Sequence, residues 1–434
     1  MIDLTKRWDP FAVYLPSIQF PYAKTVDTDR QRDKSRSFPK GIKLTDLDFL
    51  NPKSKLWHYG YALYSAGQFE SAKPQACAVT NRDKERTVIL GDSGGFQIGC
   101  GTLKGTEHLK GLKSSQDVCA AWRNDKSIIR WIVNWLDTHS DYAMTIDMPL
   151  WAQDPRRSKT PFHQCSTQEL IDLTIGNLEY IKANTRGTTK WLNVLQGQDE
   201  KSSKLWFDAV KKYKFGGWAL GGLVGWRGGL ENVLQSTLLI RDEGGFEGTQ
   251  DWLHVLGVST PQWAVLLSAI QRGIRAATGN PVRVSYDSAT PFQSSGHRQQ
   301  VIRYPKFTRD AKTWSFQMHE APVNPVYAAE AHHFPYSSPL GELLDLSHLN
   351  IRGGEFQGVP FDSLSYALLT NHNLYVYVRA LLEANELAFM RHSEADKAVP
   401  STLLDVCAFV EDIMMDSNWK RRLKKESKLL AQIK

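Results

Sequence analysis

Three aspartates that each follow a short apolar run are suited to nucleophilic and acid–base chemistry. They are Asp92, Asp147 and Asp287, and Asp287 closes the segment Ser285-Tyr286-Asp287. Breaking the bond between a sugar and a base builds positive charge on the sugar carbon, which a carboxylate stabilises or captures covalently. A second carboxylate can protonate the departing base and deprotonate the incoming one. These residues therefore predict Asp287 as the group that faces the sugar and Asp92 as the general acid and base.

Groups near these aspartates match the hydrogen-bonding edge of guanine. The carboxylate of Asp147 can accept from the N1–H and N2 amino groups, and the amide of Gln196 can donate to O6. Residues 221–223 (GGL) leave backbone N–H and C=O groups open to a ligand, and Phe96 offers an aromatic face after a glycine pair. This set of groups predicts a pocket that binds a purine base.

Buried strands that alternate with amphipathic helices must position these residues. Several apolar runs are continuous rather than alternating, which is typical of strands in a parallel sheet. Helical patterns lie between them, for example at 126–139 and 260–278. Strand–helix repeats whose strands end in polar or glycine-rich residues predict an α/β fold, a TIM-type (β/α)8 barrel with its site at the strand carboxyl ends. The predicted strands are 87–90, 142–146, 191–195, 218–220, 252–256 and 282–286.

The chain divides into three regions by its patterning. Residues 1–80 are rich in Pro, Lys and Tyr and predict an irregular N-terminal segment that packs on the barrel. Residues 81–390 hold the barrel with its inserts, including a long helix at 363–387. Residues 391–434 predict a helical C-terminal extension that ends in a basic patch.

The strand ends resemble those of the queuine and archaeosine transglycosylase superfamily, the tRNA-guanine transglycosylases and their DNA-acting relatives. The similarity begins at residues 92–97 (DSGGFQ) and continues with Asp147 and with Gln196-Gly197. It covers about residues 85–390. The later matching segments are 219–223 (ALGGL), 253–261 (LHVLGVSTP), 286–291 (YDSATP) and 368–374 (LLTNHNL).

The resemblance implies a barrel enzyme that exchanges a guanine base. It implies Asp287 as the nucleophile and Asp92 as the general acid and base. Phe96 and Leu256 would sandwich the ring of the base. The predicted base-binding residues are Ser93, Phe96, Asp147, Gln196, Gly221, Gly222, Leu223 and Leu256.

One departure from the family concerns a zinc site. The tRNA enzymes carry a Cys-x-Cys-x-x-Cys cluster and a later His downstream of the nucleophile, whereas no cysteine lies between Cys165 and Cys407 here. We therefore expect a barrel without the zinc module and no metal cofactor, because His332-His333 has no partner ligands in the sequence. The zinc module shapes the tRNA-binding face and the dimer of the family. Its loss favours DNA as the partner and a monomer or weak homodimer.

Together these features predict a DNA-guanine transglycosylase that exchanges guanine for a free 7-deazaguanine base, such as 7-cyano-7-deazaguanine. The resembled DNA-acting enzymes come from phages and bacterial modification clusters. A base inside a duplex must first be flipped out of the stack. Three alternatives stay open: a tRNA-guanine transglycosylase without zinc, a non-catalytic nucleic-acid-binding paralogue, and a barrel glycoside hydrolase.

Composition and charge fit a nucleic-acid partner in a cytoplasm, which is the host cytoplasm for a phage protein. No apolar run approaches the roughly eighteen residues that span a bilayer, so we expect no membrane partner. The N-terminal residues lack the basic and apolar regions of a secretion signal. The net charge is +7, and residues 419–434 hold seven Lys or Arg against one Glu. The residues predicted to contact the phosphate backbone are Lys420, Arg421, Arg422, Lys424 and Lys425.

Overall fold

Eight short parallel strands form one sheet that curls into a nearly closed barrel. From the second barrel strand to the eighth, each pairs with the next one in the chain, and the eighth pairs with the first. The first and second meet at the edge, where the Ile18 N–H donates to the Leu63 carbonyl at 2.9 Å. The predicted TIM-type barrel is confirmed. Its strands are β1 (Val13–Pro16), β2 (Tyr61–Ser65), β3 (Val88–Asp92), β4 (Tyr142–Met144), β5 (Lys190–Leu195), β6 (Gly217–Leu220), β7 (Trp252–Val255) and β8 (Arg283–Ser288).

The computed structural model describes residues 2–27, 38–68, 76–222, 229–321, 332–349, 362–390 and 398–432. Within these ranges thirteen α-helices accompany the barrel. They are α1 (Phe20–Val26), α2 (Gly95–Cys100), α3 (Ser115–Asn124), α4 (Ser127–His139), α5 (Thr167–Asn184), α6 (Glu200–Val210), α7 (Gly229–Asp242), α8 (Pro261–Thr278), α9 (Thr290–Gly296), α10 (Ser363–Phe389), α11 (Ser401–Ile413), α12 (Trp419–Lys425) and α13 (Ser427–Leu430).

Local sequence signals set the ends of the helices that follow the strands. The Thr260 hydroxyl caps α8 by accepting from the Trp263 N–H at 3.3 Å, and Pro261 occupies the first turn. Gly279 ends α8 in the left-handed region, with φ of 67°. A capping box between Ser166 and Glu169 starts α5. Helices α5 and α8 therefore begin at defined residues, which fixes the ends of the loops that precede them at the barrel mouth.

The expected irregular N-terminal segment is not confirmed. Two barrel strands, β1 and β2, lie within the first eighty residues, and Ile2–Asp3 pairs in parallel with Trp57–His58. These strands are only four and five residues long, so they show no periodicity that a sequence pattern can reveal. The six strands predicted from the sequence are present, with ends shifted by one or two residues.

The last helices pack on the outer layer of the barrel. Helix α11 lies against α8, and α12 and α13 lie against α7. The Arg241 guanidinium, near the end of α7, donates to the carbonyls of Met414 and Asp416 at 2.6 and 3.0 Å. Among the residues the structure describes, no helix has the length and apolar character to cross a membrane.

Candidate active site

The carboxyl ends of the barrel strands bring the predicted catalytic aspartates to one mouth. Asp92 is the last residue of β3, Asp287 is the fifth of the six residues of β8, and Asp147 lies three residues beyond β4. Because all eight strands run parallel, these positions share one end of the barrel. Electrostatic interactions couple Asp92 to both of the other aspartates. The three carboxyl groups therefore form one site.

Asp287 is held as a charged carboxylate by donors from three directions. Ser17 Oγ donates to Oδ2 at 2.6 Å, the Gly257 N–H donates to Oδ1 at 2.9 Å, and His254 Nε2 lies 3.4 Å from Oδ1. Burial alone would raise the pKa of Asp287, but its interactions with His254, Ser17 and Gly257 outweigh burial and hold the pKa below the ordinary value. Asp287 is therefore ionised at neutral pH, as a nucleophile requires.

A chain of buried side chains orients His254 toward Asp287. Trp252 Nε1 donates to Ser285 Oγ at 2.7 Å, which leaves the hydroxyl proton of Ser285 for His254 Nδ1 at 2.9 Å. In this arrangement His254 Nδ1 lies against the Ser285 hydroxyl and Nε2 faces Asp287. His254 is therefore positioned to stabilise the Asp287 carboxylate.

The surroundings of Asp92 raise its pKa, in contrast to those of Asp287. Burial raises the pKa of Asp92, and hydrogen bonds from the Ser65 side chain and the Gly94 N–H (3.2 Å) offset only part of the rise. The negative charge of Asp287 raises the pKa of Asp92 further. Ser65 lies directly opposite Asp92 in the pairing of β2 with β3. A carboxyl group with a raised pKa is suited to donate and recover a proton near neutral pH.

Asp147 and Gln196, the two predicted readers of the base edge, are in direct contact. Gln196 Nε2 donates to Asp147 Oδ2, and both side chains are buried. A Cβ atom at Gly95 would lie 3.3 Å from Asp147 Oδ1, and one at Gly221 would lie 2.8 Å from Gln196 Nε2. Burial raises the pKa of Asp147 to about 6. Glycine backbone therefore flanks a buried carboxyl–amide pair.

Replacing Asp147 with Asn is expected to stabilise the fold above pH 6. The pKa of Asp147 is about 6 in the folded protein against the ordinary pKa of 3.8 in the unfolded chain, so the unfolded state loses the proton first and stability falls as pH rises through this window. The loss reaches about 3 kcal/mol above the folded pKa. Urea unfolding should therefore show a variant more stable at pH 8, with the difference closing near pH 4. A difference that does not change with pH would contradict the raised pKa.

Other predicted base-binding residues lie around the same mouth. The ring of Phe96, on α2, is 60% exposed and packs at a tilt against Trp151, with a centroid distance of 5.3 Å. Leu256 directly follows β7 and is partly buried. Ser93 is buried, and its hydroxyl donates to the Thr145 carbonyl at 3.3 Å. The hydroxyl of Ser93 therefore already links two barrel strands, and contact of all three residues with a base stays a prediction.

The glycine-rich segment after β6 opens with two residues of distinct roles. The Gly221 N–H donates to the Leu195 carbonyl at 3.0 Å, which continues the pairing of β5 with β6. Gly222 has φ of 71°, in the left-handed region that favours glycine. Leu223 lies outside the described residues. Reading of the base by this segment stays a prediction.

The C-terminal basic patch has part of its charge balanced within the protein. Arg422 forms ion pairs with Asp412 at 2.5 Å and Asp416 at 3.1 Å, and Lys420 lies 3.2 Å from Glu200. Contact of this patch with a phosphate backbone stays a prediction. Its remaining predicted members, all exposed, are Arg421, Lys424 and Lys425.

Three residues that support the aspartates were missed by the sequence patterns. Ser17 and Ser65 follow or end strands in the region expected to be irregular, so no signal singled them out. His254 lies within segment 253–261 of the resemblance, but a histidine in an apolar strand carries no signal of its own. Only the pairing of β7 with β8 places His254 opposite Ser285 and so shows its link to the site.

Metal ligands are not grouped in the part of the chain that the structure describes. There, no set of three or more His, Cys, Asp or Glu side chains is arranged to hold a metal ion. The five cysteines are free, and the sulfurs of Cys119 and Cys165 lie 3.9 Å apart. His333 pairs with Asp345 in an isolated backbone bridge.

The fold and the mouth define a TIM barrel with a cluster of three differently tuned carboxyl groups. Comparison with protein-family models gives no match for the chain. A search of curated proteins gives no match either. The function must therefore be inferred from the barrel and from the groups at its mouth.

Proposed function

We propose that the protein is a DNA-guanine transglycosylase that replaces guanine in DNA with a 7-deazaguanine base, such as 7-cyano-7-deazaguanine. The proposal rests on the opposite pKa shifts of two interacting carboxyl groups, Asp287 and Asp92. The pKa of Asp287 is lowered by its interactions with His254, Ser17 and Gly257 despite burial, and the pKa of Asp92 is raised by burial. Acids whose surroundings push their pKa values apart divide the roles of nucleophile and proton donor.

In the first half of the reaction Asp287 attacks C1′ of the deoxyguanosine. The C1′–N9 bond breaks, its electron pair leaves with guanine, and Asp92 gives its proton to the departing base. Oδ2 of Asp287 accepts one hydrogen bond, from Ser17, so a lone pair remains on this oxygen for the attack. The product is an ester between Asp287 and the sugar, together with free guanine.

In the second half the incoming base reverses these steps. Its N9–H gives the proton to the Asp92 carboxylate, N9 attacks C1′, and Asp287 leaves as a carboxylate. Asp92 is then protonated again, so the exchange consumes no proton and needs no oxidant or reductant. The ester must survive until the new base arrives, which requires a site that excludes water.

Guanine selectivity is assigned to Asp147 and Gln196. An ionised Asp147 accepts from N1–H and the N2 amino group, which only guanine among the common bases presents together. The amide of Gln196 has a second N–H for O6, because one of its two donors faces Asp147. A 7-deazaguanine presents the same edge, so one pocket can accept both the leaving and the incoming base.

DNA is proposed as the polymer because the cysteine cluster of the resembled tRNA enzymes has no counterpart between Cys165 and Cys407. The decisive experiment incubates the protein with guanine-containing DNA, tRNA and labelled 7-cyano-7-deazaguanine. We expect label in DNA and release of one guanine for each base inserted. Label that enters tRNA and not DNA would move the proposal to a tRNA enzyme without zinc. Label in neither polymer would contradict base exchange.

Replacing Gly221 with Ala should weaken base binding with little effect on the fold. The new Cβ atom would lie 2.8 Å from Gln196 Nε2, the mobile end of a side chain, so the amide moves away from Asp147. Loss of a hydrogen bond to a charged group costs about 1.5 kcal/mol, or roughly tenfold in affinity. We expect KM for the incoming base to rise about tenfold while kcat changes little.

Gly176→Ala is the matched control, because no atom lies within 4 Å of a Cβ atom at this position in the middle of α5. It should leave KM unchanged and slightly raise the melting temperature, since Ala favours helix more than Gly. An unchanged KM in Gly221→Ala would remove Gln196 from base recognition.

A further inference from the structure

A cationic groove lies beside the barrel mouth, on the segments that follow β3 and β4. Its cavity volume is about 310 Å³, and no acidic residue lines it. It is bounded by the loop before α3 and by the loop before α5. The lining side chains that carry charge or a hydroxyl are Lys110, Lys113, Lys159, Ser114, Ser158 and Thr160.

The positive charge of this groove is only partly balanced inside the protein. Within the described ranges, none of the three lysines forms an ion pair, and all three are exposed. The exposed Glu107 interacts electrostatically with Lys110. The hydroxyls of Ser114 and Thr160 already donate within the protein. The groove therefore offers an anion mainly the charges of its lysines.

Helix α2 fixes the distance from this groove to the base-reading pair. Its first residue, Gly95, lies against Asp147, and a Cβ atom at Gly101, just after its last residue, would lie 3.1 Å from Lys110 Cε and 2.7 Å from Pro161 Cγ. Six helical residues rise about 9 Å. One DNA strand carries a phosphate about every 3.4 Å along the axis of a duplex, and its phosphates lie farther apart when the strand is extended, so the groove begins within about three nucleotides of the reacting base.

The surface between the mouth and the groove carries adjoining aromatic and cationic groups. The exposed ring of Phe96 packs at a tilt against Trp151, and the guanidinium of Arg157 lies 5.4 Å from the Trp151 ring. Helix α2 packs closely against Trp151 because residue 99 is glycine, and a Cβ atom there would lie 2.6 Å from the indole. Aromatic faces beside cations are the combination that binds single-stranded nucleic acid, with bases on the rings and phosphates on the cations.

We infer that the lysine groove binds the phosphodiester backbone of the DNA strand that supplies the reacting base, within about three nucleotides of that base. This inference rests on the proposed function and deepens it, since it adds the route by which the polymer reaches the barrel mouth. The strand passes from the mouth over Phe96 and Trp151 and continues between Lys110, Lys113 and Lys159.

The test measures binding without chemistry, in protein that carries Asp287→Asn. A fluorescent guanine-containing oligonucleotide is titrated at several salt concentrations with this protein and with a triple variant, Lys110→Gln, Lys113→Gln and Lys159→Gln. Each lost phosphate contact reduces the magnitude of the slope of log affinity against log salt concentration by about one. The slope of the triple variant should therefore be smaller by about three, whatever the base sequence of the oligonucleotide. We also expect at least about tenfold weaker binding at low salt.

A matched control removes the same charge from the opposite end of the barrel, with Lys84→Gln, Lys182→Gln and Lys212→Gln, all exposed lysines. This control should keep the original slope. The inference is overturned if the groove variant keeps the original slope, or if the control variant loses as much of the slope as the groove variant does. Either result overturns it even when base exchange proceeds normally. If the groove variant alone loses slope while no base exchange is detected, the proposed function fails and the groove remains a polynucleotide site.

Discussion

Replacing Asp287 with Asn is expected to abolish base exchange, with a loss of at least about 10⁴-fold, because the ester with the sugar can no longer form. An amide oxygen is a poor nucleophile, and the change keeps the size of the side chain. The Ser17 hydroxyl can still donate to the amide oxygen, so folding should be retained. Single-turnover release of guanine from DNA measures the loss.

The control for this variant is Asp251→Asn at the other end of the same sheet. Asp251 precedes β7 and pairs with Lys190 at 2.8 Å, so it is a carboxylate of the barrel that faces away from the mouth. It should exchange base at the original rate. Exchange by Asp287→Asn at a rate close to that of this control would remove Asp287 from the mechanism.

Replacing Asp92 with Asn should slow exchange by about 10² to 10⁴-fold, the range that proton transfer by a positioned acid supplies. The loss should depend on the leaving base. Guanine must be protonated as it departs, whereas 7-methylguanine already carries a positive charge in the nucleotide and leaves as a neutral base. We expect Asp92→Asn to release 7-methylguanine at close to the original rate and guanine far more slowly.

The pH dependence of guanine release tests the role of Asp92 independently. Burial raises the pKa of Asp92, and the acid form is the one that protonates guanine, so release of guanine should fall as pH rises through this pKa. Asp92→Asn should remove that fall. Equal losses for guanine and 7-methylguanine, with the fall retained, would show that Asp92 is not the proton donor.

The barrel and its aspartates were predictable because their signals are local. Continuous apolar runs marked the strands from β3 to β8, and Asp92 and Asp287 stand where such runs end. The first two strands gave no such signal, since they are short and lie among Pro, Lys and Tyr. Ser17 and Ser65 were missed with them, although they lower the pKa values of Asp287 and Asp92, the two carboxyl groups proposed to be catalytic.

Contacts between distant segments could not be derived from spacing. His254 and Ser285 are separated by thirty-one positions and meet only because β7 and β8 pair in one register. A histidine on an apolar strand is in itself compatible with a core position. In the same way, Lys110 and Lys159 belong to different loops, and only the fold brings them to one groove.

The most direct test of the central claim is capture of the bond between Asp287 and the sugar. The protein is mixed with guanine-containing DNA without an incoming base, denatured, digested with protease and analysed by mass spectrometry. We expect a sugar-linked peptide that contains Asp287, which disappears when 7-cyano-7-deazaguanine is added before denaturation. Base exchange that proceeds with the sugar attached to another residue, or with no covalent adduct, would contradict it.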